Sequence, residues 1–415
     1  MSTDLASGQP TIDSSDLDVT DLAQSLHDCL ALIQDHRTTR TLLHQLPDLL
    51  TIAVLSVIAG GNGWEDMALY GLSKYDWLST FLALPNGIPS PDTFRRVFEK
   101  IRPNEFERCF EIWVQHILND LFPQLIAIDG KEIRGSYDRE AGTKSVHLVS
   151  AWSSESQLVL AQTKVSSKSN EITAIPILLD ILDLEGSIIT IDAMGTQKKI
   201  ADKIYQANGD YILSLKANHP TLFQDVNTWF DSQQTANILP LPLEHTTEAG
   251  HHRIEIRKRA FRGKLPPKTS RKYWAFSLSQ LPPLHESSQW AGFQTVIAVE
   301  RIRHLRTKTT HEIQFYLSSL SSNSSQLTRA IRQHWGIENS LHWVLDVTFN
   351  EDACRVRSLH APHNLALVRR FALNILNCEH TFKGSIKQKS KRAAMDNRYM
   401  LTLLASAFPR SSAIA

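Results

Sequence analysis

The chain has few cysteines, and their spacing is wide. Among its 415 residues there are four, Cys29, Cys109, Cys354 and Cys378, and no two of them form a CxxC pair. This spacing suggests neither a disulfide framework nor a cysteine-based zinc site. We therefore expect a protein of a reducing compartment.

No apolar run in the chain is long enough for a membrane-spanning helix. The longest lies between Leu49 and Gly61, whereas a bilayer needs about 20 consecutive apolar residues. The first residues also lack the basic region that opens a secretory signal peptide. We expect a folded cytoplasmic protein with no membrane partner, since hydrophobic residues make up 42% of the chain.

Basic residues are absent from the first part of the chain. Residues 1–36 hold seven Asp and no Lys or Arg. Residues 251–272, by contrast, hold nine Lys or Arg and a single acid, Glu255. The formal net charge of +1 hides this contrast. Such a basic segment favours contact with phosphates, and the alternative is a solvated strand face.

The length and the changing hydrophobic period predict several domains. Residues 1–15 are rich in Ser, Thr and Asp and are expected to be disordered. Residues 16–122 have a helical period, which predicts a domain of about five helices with breaks near residues 60 and 85–87. Ser90-Pro91 is typical of a helix start, with Ser as the cap and Pro in the first turn.

Residues 123–243 alternate between strand-like and helical patterns. The order predicts a mixed sheet in which the first, fourth and fifth strands are parallel, with helices on its faces. The predicted strands are Leu125–Asp129, Ser145–Ser153, Gln157–Val165, Ser187–Asp192 and Asp210–Leu215, and the helices are Asn170–Leu182 and Thr196–Asn208.

Residues 244–320 contain strand-like runs with no helix between them. They predict an antiparallel β insertion of its own, with strands at Ile254–Phe261, Tyr273–Leu278, Phe293–Arg303 and Glu312–Leu317. Residues 321–415 return to a helical period. Helices are predicted from Gln326 through Leu345, at His363–Cys378 and at Ala393–Ala407.

Two acidic residues end buried strands of the predicted sheet. Asp129 follows the apolar run 125–128, and Asp192 follows the run 188–191. A strand that stops on an Asp places its carboxylate at the sheet edge, where ligands bind in open α/β sheets. For one such Asp alone, the favoured explanation is that it simply caps its strand. Two of them on neighbouring strands predict a site for hard divalent cations, which prefer oxygen ligands.

The candidate for a third carboxylate is Glu338, in the helical stretch downstream. Asp346, Glu351 and Asp352 follow soon after and compete with it. Only one of these acids can face the same metal site as the two Asp residues.

His334, Glu338 and His342 are spaced four residues apart, which places them on one helical face. A transition-metal site is the less favoured interpretation of this spacing, because HExxH spacing is absent. The favoured one is that the histidines contact DNA or orient the Glu. Trp335 and Trp343 lie eight residues apart, a spacing more typical of the core than of base stacking.

Three short blocks together resemble the DDE transposases of bacterial insertion sequences, and within them the subgroup that includes the H-repeat-associated proteins. The blocks are Asp129-Gly130-Lys131, Asp192-Ala193-Met194-Gly195-Thr196-Gln197 and His334-Trp335-Gly336-Ile337-Glu338-Asn339-Ser340-Leu341-His342-Trp343. The stretch 87–94 looks like the end of that family's associated N-terminal domain. The resemblance therefore covers nearly the whole chain.

The resemblance implies an RNase H-like catalytic fold, interrupted by a β-rich insertion before the helix that carries Glu338. It implies that Asp129, Asp192 and Glu338 hold two Mg²⁺ ions, with Mn²⁺ as an alternative. The implied activity is DNA strand cleavage and transfer at the ends of an insertion sequence. Double-stranded DNA of element ends and target would be the partner, bound by a homodimer at the bacterial nucleoid.

The chain departs from related families around the Glu. Those families place a Tyr, an Arg and a Lys at fixed helical spacings, whereas here His334 stands four residues before Glu338 and Leu345 seven after. Arg332 remains a candidate for a phosphate contact. Lys216, just past the strand 210–215, is a second candidate, with an ordinary solvated Lys as the alternative.

The other candidate DNA contacts lie in two basic segments and beside the Glu. In the first segment, residues 251–272, alternation places Arg253, Arg257 and Arg259 on one face of a strand, and Lys258 is a further candidate. Beside Glu338 the candidate is His334. The second segment is predicted to be a loop entering the last helix, and its basic residues are Lys383, Lys387, Lys389, Lys391 and Arg392. Lysine contacts to phosphate give affinity without sequence information.

Two other functions fit the same residues. One is a stand-alone Mg²⁺-dependent nuclease that uses the triad without joining strands. The other is a catalytically inactive, DNA-binding remnant, which the intact triad argues against.

Overall fold

A computed structural model describes residues 19–37, 42–118, 124–138, 142, 144–166, 170–249, 268–304 and 308–408. The expected disordered tail at residues 1–15 and the predicted strand Ile254–Phe261 lie outside these residues. So do four of the candidate DNA contacts, Arg253, Arg257, Lys258 and Arg259.

The centre of the described chain is one mixed sheet. Its strands are β1 (Leu125–Ile133), β2 (Val146–Ser153), β3 (Leu158–Lys164), β4 (Ile188–Ile191), β5 (Asp210–Leu215), β6 (Glu244–Ala249), β7 (Lys268–Ser277), β8 (Thr295–His304) and β9 (Thr309–Ser318). They lie in the order β3-β2-β1-β4-β5-β9-β8-β7-β6.

The middle of the sheet agrees with the sequence prediction. β1, β4 and β5 are parallel neighbours, and β2 and β3 form an antiparallel hairpin beside β1. All four residues of β4 are buried, which is typical of a parallel strand that is covered on both faces.

The second half of the sheet differs from the prediction. β6 to β9 are antiparallel to one another, but β9 also pairs with β5, from Ile212 opposite Ser318 to Leu215 opposite Phe315. The expectation of a separate β unit is therefore wrong for the described strands, because the edge of β5 is completed by β9 rather than left open.

Six described helices precede the sheet, where about five were predicted. They are α1 (Val19–Ala31), α2 (Leu46–Ile58), α3 (Trp64–Ser73), α4 (Tyr75–Leu78), α5 (Pro91–Lys100) and α6 (Pro103–Leu118). Both predicted breaks fall between helices. α5 begins as the sequence indicated, since the Ser90 hydroxyl accepts a hydrogen bond from the Thr93 amide at 3.3 Å.

Three helices connect the central strands: α7 (Glu171–Ile181), α8 (Lys198–Gln206) and α9 (Pro220–Thr235). The first two were predicted, and α9 was not. Its buried stripe is narrow, with Leu222, Val226 and Phe230 spaced four residues apart among polar residues.

After the sheet the chain is helical again. A long helical stretch consists of α10 (Gln326–Gly336), a π-helical segment at Ile337–His342 and α11 (Trp343–Val347). α10 packs on one face of the sheet, where Leu327, Ala330 and Ile331 contact residues such as Leu125 and Ile188.

The last helices are α12 (Ala361–Cys378), α13 (Ile386–Met395) and α14 (Asn397–Ala407). α12 is buried for most of its length and packs against α2, α6 and α14. The predicted basic loop is wrong, because residues 386–395 are helical behind a Ser385 cap. Lys389 within it is buried and donates to the carbonyl oxygen of Leu376 at 2.9 Å. The last helix begins at Asn397 rather than at Ala393.

Across the described residues, no helix is both long and apolar enough to cross a bilayer.

Candidate active site

The two Asp residues lie side by side at one edge of the parallel strands. The last residue pair between β1 and β4 is Ile128 opposite Ile191, so Asp129 and Asp192 are the next residues of adjacent strands. The prediction that Asp129 ends its strand is wrong. β1 continues to Ile133 paired only with β2, and it is the end of β4 that opens the space in front of Asp129.

Asp192 is held by the turn that follows it. Its Oδ1 accepts hydrogen bonds from the amides of Met194 at 3.0 Å and Gly195 at 3.2 Å. A side chain at Gly195 would collide with Ile191 and Ile175. The capping role is therefore real, and it is compatible with cation binding because a carboxylate has a second oxygen.

Asp129 is affected by the negative charges of several other acidic side chains. Burial raises the pKa of its carboxyl to about 7, and the charges of Glu338 and Asp192 contribute to that rise. A hydrogen bond from the Gly130 amide, at 2.9 Å, acts in the opposite direction. The charges of acids that are far apart in the sequence therefore act on Asp129, and a bound cation would relieve this repulsion.

Glu338 lies in the π-helical segment, where the helix widens by one residue. Such wide turns are rare and frequently occur at functional sites. The Glu338 side chain is exposed, and its charge contributes to the raised pKa of Asp129.

The three competing acids are engaged elsewhere. Lys131 Nζ lies 2.7 Å from Asp346 Oδ1 and 3.5 Å from Asp352 Oδ1. Glu351 is fully buried and forms a two-pronged ion pair with Arg370, whose Nη2 lies 3.1 Å from Oε2. These contacts favour Glu338 over the other three as the third carboxylate.

The two histidines near Glu338 are turned into the protein. His334 Nδ1 lies 2.9 Å from the Thr190 hydroxyl on β4, and His342 Nδ1 lies 3.5 Å from Asp129 Oδ2. Burial lowers the pKa of His334 to about 4 and that of His342 to about 3. Both rings are therefore neutral at pH 7, and His334 brings no positive charge to a phosphate.

The core position expected for the two tryptophans is wrong. Trp335 is 43% exposed and Trp343 is 45% exposed. The buried stripe of the helix passes from Ile331 to Ile337 and Leu341, and neither ring lies on it. Trp335 covers the guanidinium of Arg301, whose Cζ lies 5.0 Å from the ring centroid.

The two described cationic candidates differ in their surroundings. Lys216 is exposed at the end of β5. Burial raises the pKa of Asp192 and the Lys216 charge opposes that rise, while at His334 burial and the Lys216 charge both lower the pKa. It therefore lies near the acidic cluster. Arg332 points toward β6, where it pairs with Glu244.

Sequence reasoning missed a fourth acid near the cluster. Glu171, in the first turn of α7, is buried and lies 2.8 Å from His147 Nε2. Its charge contributes to the raised pKa of both Asp129 and Asp192. A side chain at Gly130 would collide with this pair, so the glycine between Asp129 and Lys131 is required by packing. The signal that the sequence offered for Glu171 was its position as an acidic residue at the start of the predicted helix Asn170–Leu182.

The donor set fits a hard divalent cation. It consists of carboxylates whose charges raise the pKa of Asp129, and carboxylate oxygens are the ligands that such an ion prefers. Among the described residues, no three His, Cys, Asp or Glu side chains are grouped around a single ion position. This holds for Asp129, Asp192 and Glu338 as well as for His334, Glu338 and His342, so neither set encloses an ion in this arrangement of side chains.

Comparison with known proteins gives the family. The profile of the Transposase DDE domain matches residues 120–375, and that of the DDE_Tnp_1-associated domain matches residues 27–114. The H repeat-associated putative transposase YhhI of Escherichia coli K12 is 35% identical over 392 residues, which cover 92% of this chain and 98% of that protein. The chain belongs to the DDE transposase family. The resemblance inferred from the three sequence blocks is thereby confirmed.

A second relative of similar extent is the putative transposase YncI of Escherichia coli O157:H7. It is 37% identical over 386 residues, which cover 92% of this chain and 95% of that protein. Among solved structures, a piggyBac transposase synaptic complex with hairpin DNA superposes with a TM-score of 0.41 at 12% identity, covering 94% of this chain and 81% of that one.

The DDE transposase is an enzyme that cleaves DNA and transfers its strands, and DNA is its partner. Dependence on a divalent metal ion follows from the family. The acidic cluster at the end of β4 lies within the matched catalytic domain.

Proposed function

We propose that this transposase cleaves and joins DNA at the ends of an insertion sequence, with two Mg²⁺ ions held by Asp129, Asp192 and Glu338. One observation carries the proposal: Asp129 and Asp192 follow paired residues of adjacent parallel strands, and the charge of Glu338 raises the pKa of Asp129. Mn²⁺ is proposed as an alternative ion, because it also prefers oxygen ligands.

Each residue of the proposed site has a distinct part. A pair of divalent ions activates the attacking oxygen and stabilises the leaving oxygen of a phosphodiester. Asp192 is oriented by the turn at 193–195, and Glu338 is supplied by the π-helical segment after α10. Lys216 lies where its charge can hold a phosphate oxygen beside Asp192.

The larger organisation is proposed in the same terms. The strands β1 to β5 and the helix with Glu338 would form an RNase H-like core, and residues 244–320 would be an insertion that continues its sheet. Residues 16–122 would be the associated N-terminal domain and residues 321–415 the Glu helix and helical C-terminal region. The enzyme would act as a homodimer on element-end DNA.

The test is a cleavage and joining assay with variants of each acid. The substrate is DNA that flanks the gene, supplied with Mg²⁺ or Mn²⁺. Asp129→Asn, Asp192→Asn and Glu338→Gln are each expected to abolish cleavage and leave DNA binding largely intact, because binding comes mainly from Lys and Arg. Glu132→Gln is the matched control on β1, since Glu132 is exposed. Wild-type cleavage by any triad variant would remove that residue from the site.

The same assay separates the two alternative functions. Cleaved DNA without joined products would indicate a stand-alone nuclease. DNA binding with no cleavage in either metal would indicate an inactive remnant.

A further inference from the structure

A cavity lies beside the helix that carries Glu338, on the face of the sheet formed by β7, β8 and β9. Its volume is about 170 Å³, several times the roughly 30 Å³ that a water molecule occupies in the liquid. Arg271 and Arg301 are opposite each other in the β7–β8 register and form its floor. Arg332 and Trp335 from α10 form its wall.

The cavity is close to the proposed active site along the helix. Trp335 precedes Glu338 by three residues, which corresponds to a rise of about 4.5 Å. The cavity therefore lies within one helical turn of the acid, along the helix axis. A group bound in it would be next to the DNA strand that reaches Glu338.

The charge of Arg301 is only loosely compensated by a nearby acid, whereas Arg332 is paired with Glu244. The Arg301 side chain is 11% exposed, and its one acidic contact is loose, with Nη1 3.9 Å from Glu312 Oε2. Burial, together with repulsion from Arg303 and Arg271, lowers the pKa of Arg301 in spite of Glu312. An arginine in this situation is stabilised by a bound anion.

An unused hydrogen-bond donor in the cavity also indicates a site for an anion. Within the described chain, the buried Arg301 Nε has no hydrogen-bond partner. The Trp335 ring lies against the guanidinium, with the Arg301 Cζ 5.0 Å from the ring centroid. A guanidinium held in this way presents a fork of donors that matches phosphate oxygens.

We propose that this cavity binds a phosphate group of a DNA strand, with Arg301 as the central ligand and Arg271 and Arg332 beside it. This proposal rests on the proposed active site around Glu338. A free phosphate or nucleotide offers the same chemistry, and the DNA strand is favoured because the cavity adjoins the helix of a DNA-cleaving enzyme. The contact would hold the strand while Glu338 acts.

The experiment measures affinity for a labelled DNA duplex at several salt concentrations, without divalent ions. Arg301→Gln and Arg332→Gln are each expected to weaken binding about tenfold, and to lower the slope of log affinity against log salt by roughly 0.9. Arg329→Gln is the matched control on α10, because Arg329 lies three residues before Arg332 and pairs with Glu155 as Arg332 pairs with Glu244, but it does not line the cavity. The control should keep the wild-type slope.

A conservative variant guards against misfolding. Arg301→Lys keeps the charge and loses the fork, so it should keep most of the salt slope and lose part of the affinity. Unchanged slopes in Arg301→Gln and Arg332→Gln, with thermal unfolding like that of the wild type, would overturn the proposal.

Inorganic phosphate and a mononucleotide serve as probes of the other source. If either binds wild type and not Arg301→Gln, while the DNA slope stays the same in both, the site takes free phosphate and the DNA assignment is wrong. Because no cleavage is measured, a failure here is distinct from a failure of the triad variants to lose activity.

Discussion

Lys131 connects the two parts of the proposed active site. It follows Asp129 by two residues on β1, and its side chain is 8% exposed. It binds Asp346, eight residues after Glu338, and also contacts Asp352. The lysine thus fixes the helix with Glu338 to the strand with Asp129, and neutralises acids that would compete for a cation.

Replacing Lys131 by Met is expected to lower the free energy of unfolding by about 2 kcal/mol, because it leaves two half-buried carboxylates without their partner. Urea denaturation measures this. Lys199→Met, at an exposed position of α8, is the control and should change stability by less than about 0.5 kcal/mol. Equal stability of the two variants would show that the contact contributes nothing.

The burial of His334 should make the stability of the folded protein depend on pH. Its pKa is lowered from 6.5 to about 4 in the folded chain, chiefly by burial. The unfolded chain therefore takes up a proton below pH 6.5 that the folded chain takes up only near pH 4, so this residue makes stability fall as the pH decreases through that window. Above the window the contribution is constant.

The variant His334→Asn should remove that contribution. Between about pH 6.5 and 4 the wild type is expected to lose on the order of 2 kcal/mol more than the variant. Urea denaturation across the pH range tests this, with His380→Asn at an exposed site as the control. Parallel pH curves for wild type and His334→Asn would contradict the assignment.

At the scale of elements, the sequence pattern predicted those strands and helices whose bounds are set by neighbouring residues in the chain. β5 was predicted with the bounds that are observed, 210–215, because it is a short apolar run between turns. The site predictions from Asp129 and Asp192 depended on two such runs being adjacent. The register of β1 with β4 makes them so.

Other elements were missed because long-range contacts decide them. β1 continues through Gly130, which suggests a turn, because β2 pairs with that part of the strand. The π-helical segment has no periodic signal, since residues 334–342 also fit a regular helix. Glu171 could not be assigned to the site, because nothing local shows that α7 begins beside Asp129.

The π-helical segment allows a test of its own. Deleting Asn339 should restore a regular helix and turn Glu338 by about 100° relative to His342 and Asp346, since each helical residue turns by that angle. The expected result is a folded protein, by circular dichroism and urea denaturation, that has lost cleavage.

Deleting Asn323, exposed in the loop before α10, controls for the shortened chain and should keep cleavage. Activity retained on deletion of Asn339 would show that the wide turn does not position Glu338.

At the scale of the whole molecule, the helices before and after the sheet share one core. Trp113 of α6 stacks on Phe371 of α12 with ring centroids 4.7 Å apart, and α2 packs along α12. The sequence could predict each group of helices, but not their contact, because it joins residues more than two hundred positions apart.

This arrangement gives the site its rigid base. The buried Glu351–Arg370 ion pair joins the segment after Glu338 to α12, and Lys131 joins the same segment to the sheet. The acid that approaches Asp129 from the helix is therefore supported from two sides.

The central claim is that Asp129, Asp192 and Glu338 form one site for two divalent ions. Electron paramagnetic resonance of Mn²⁺ titrated into the DNA-bound enzyme tests it most directly. We predict two bound ions whose spins are coupled, as expected for a separation of about 3.5–4 Å, and loss of the coupling in Asp129→Asn, Asp192→Asn and Glu338→Gln. Uncoupled ions in the wild type, or a coupled pair that persists in any of these variants, would contradict the account.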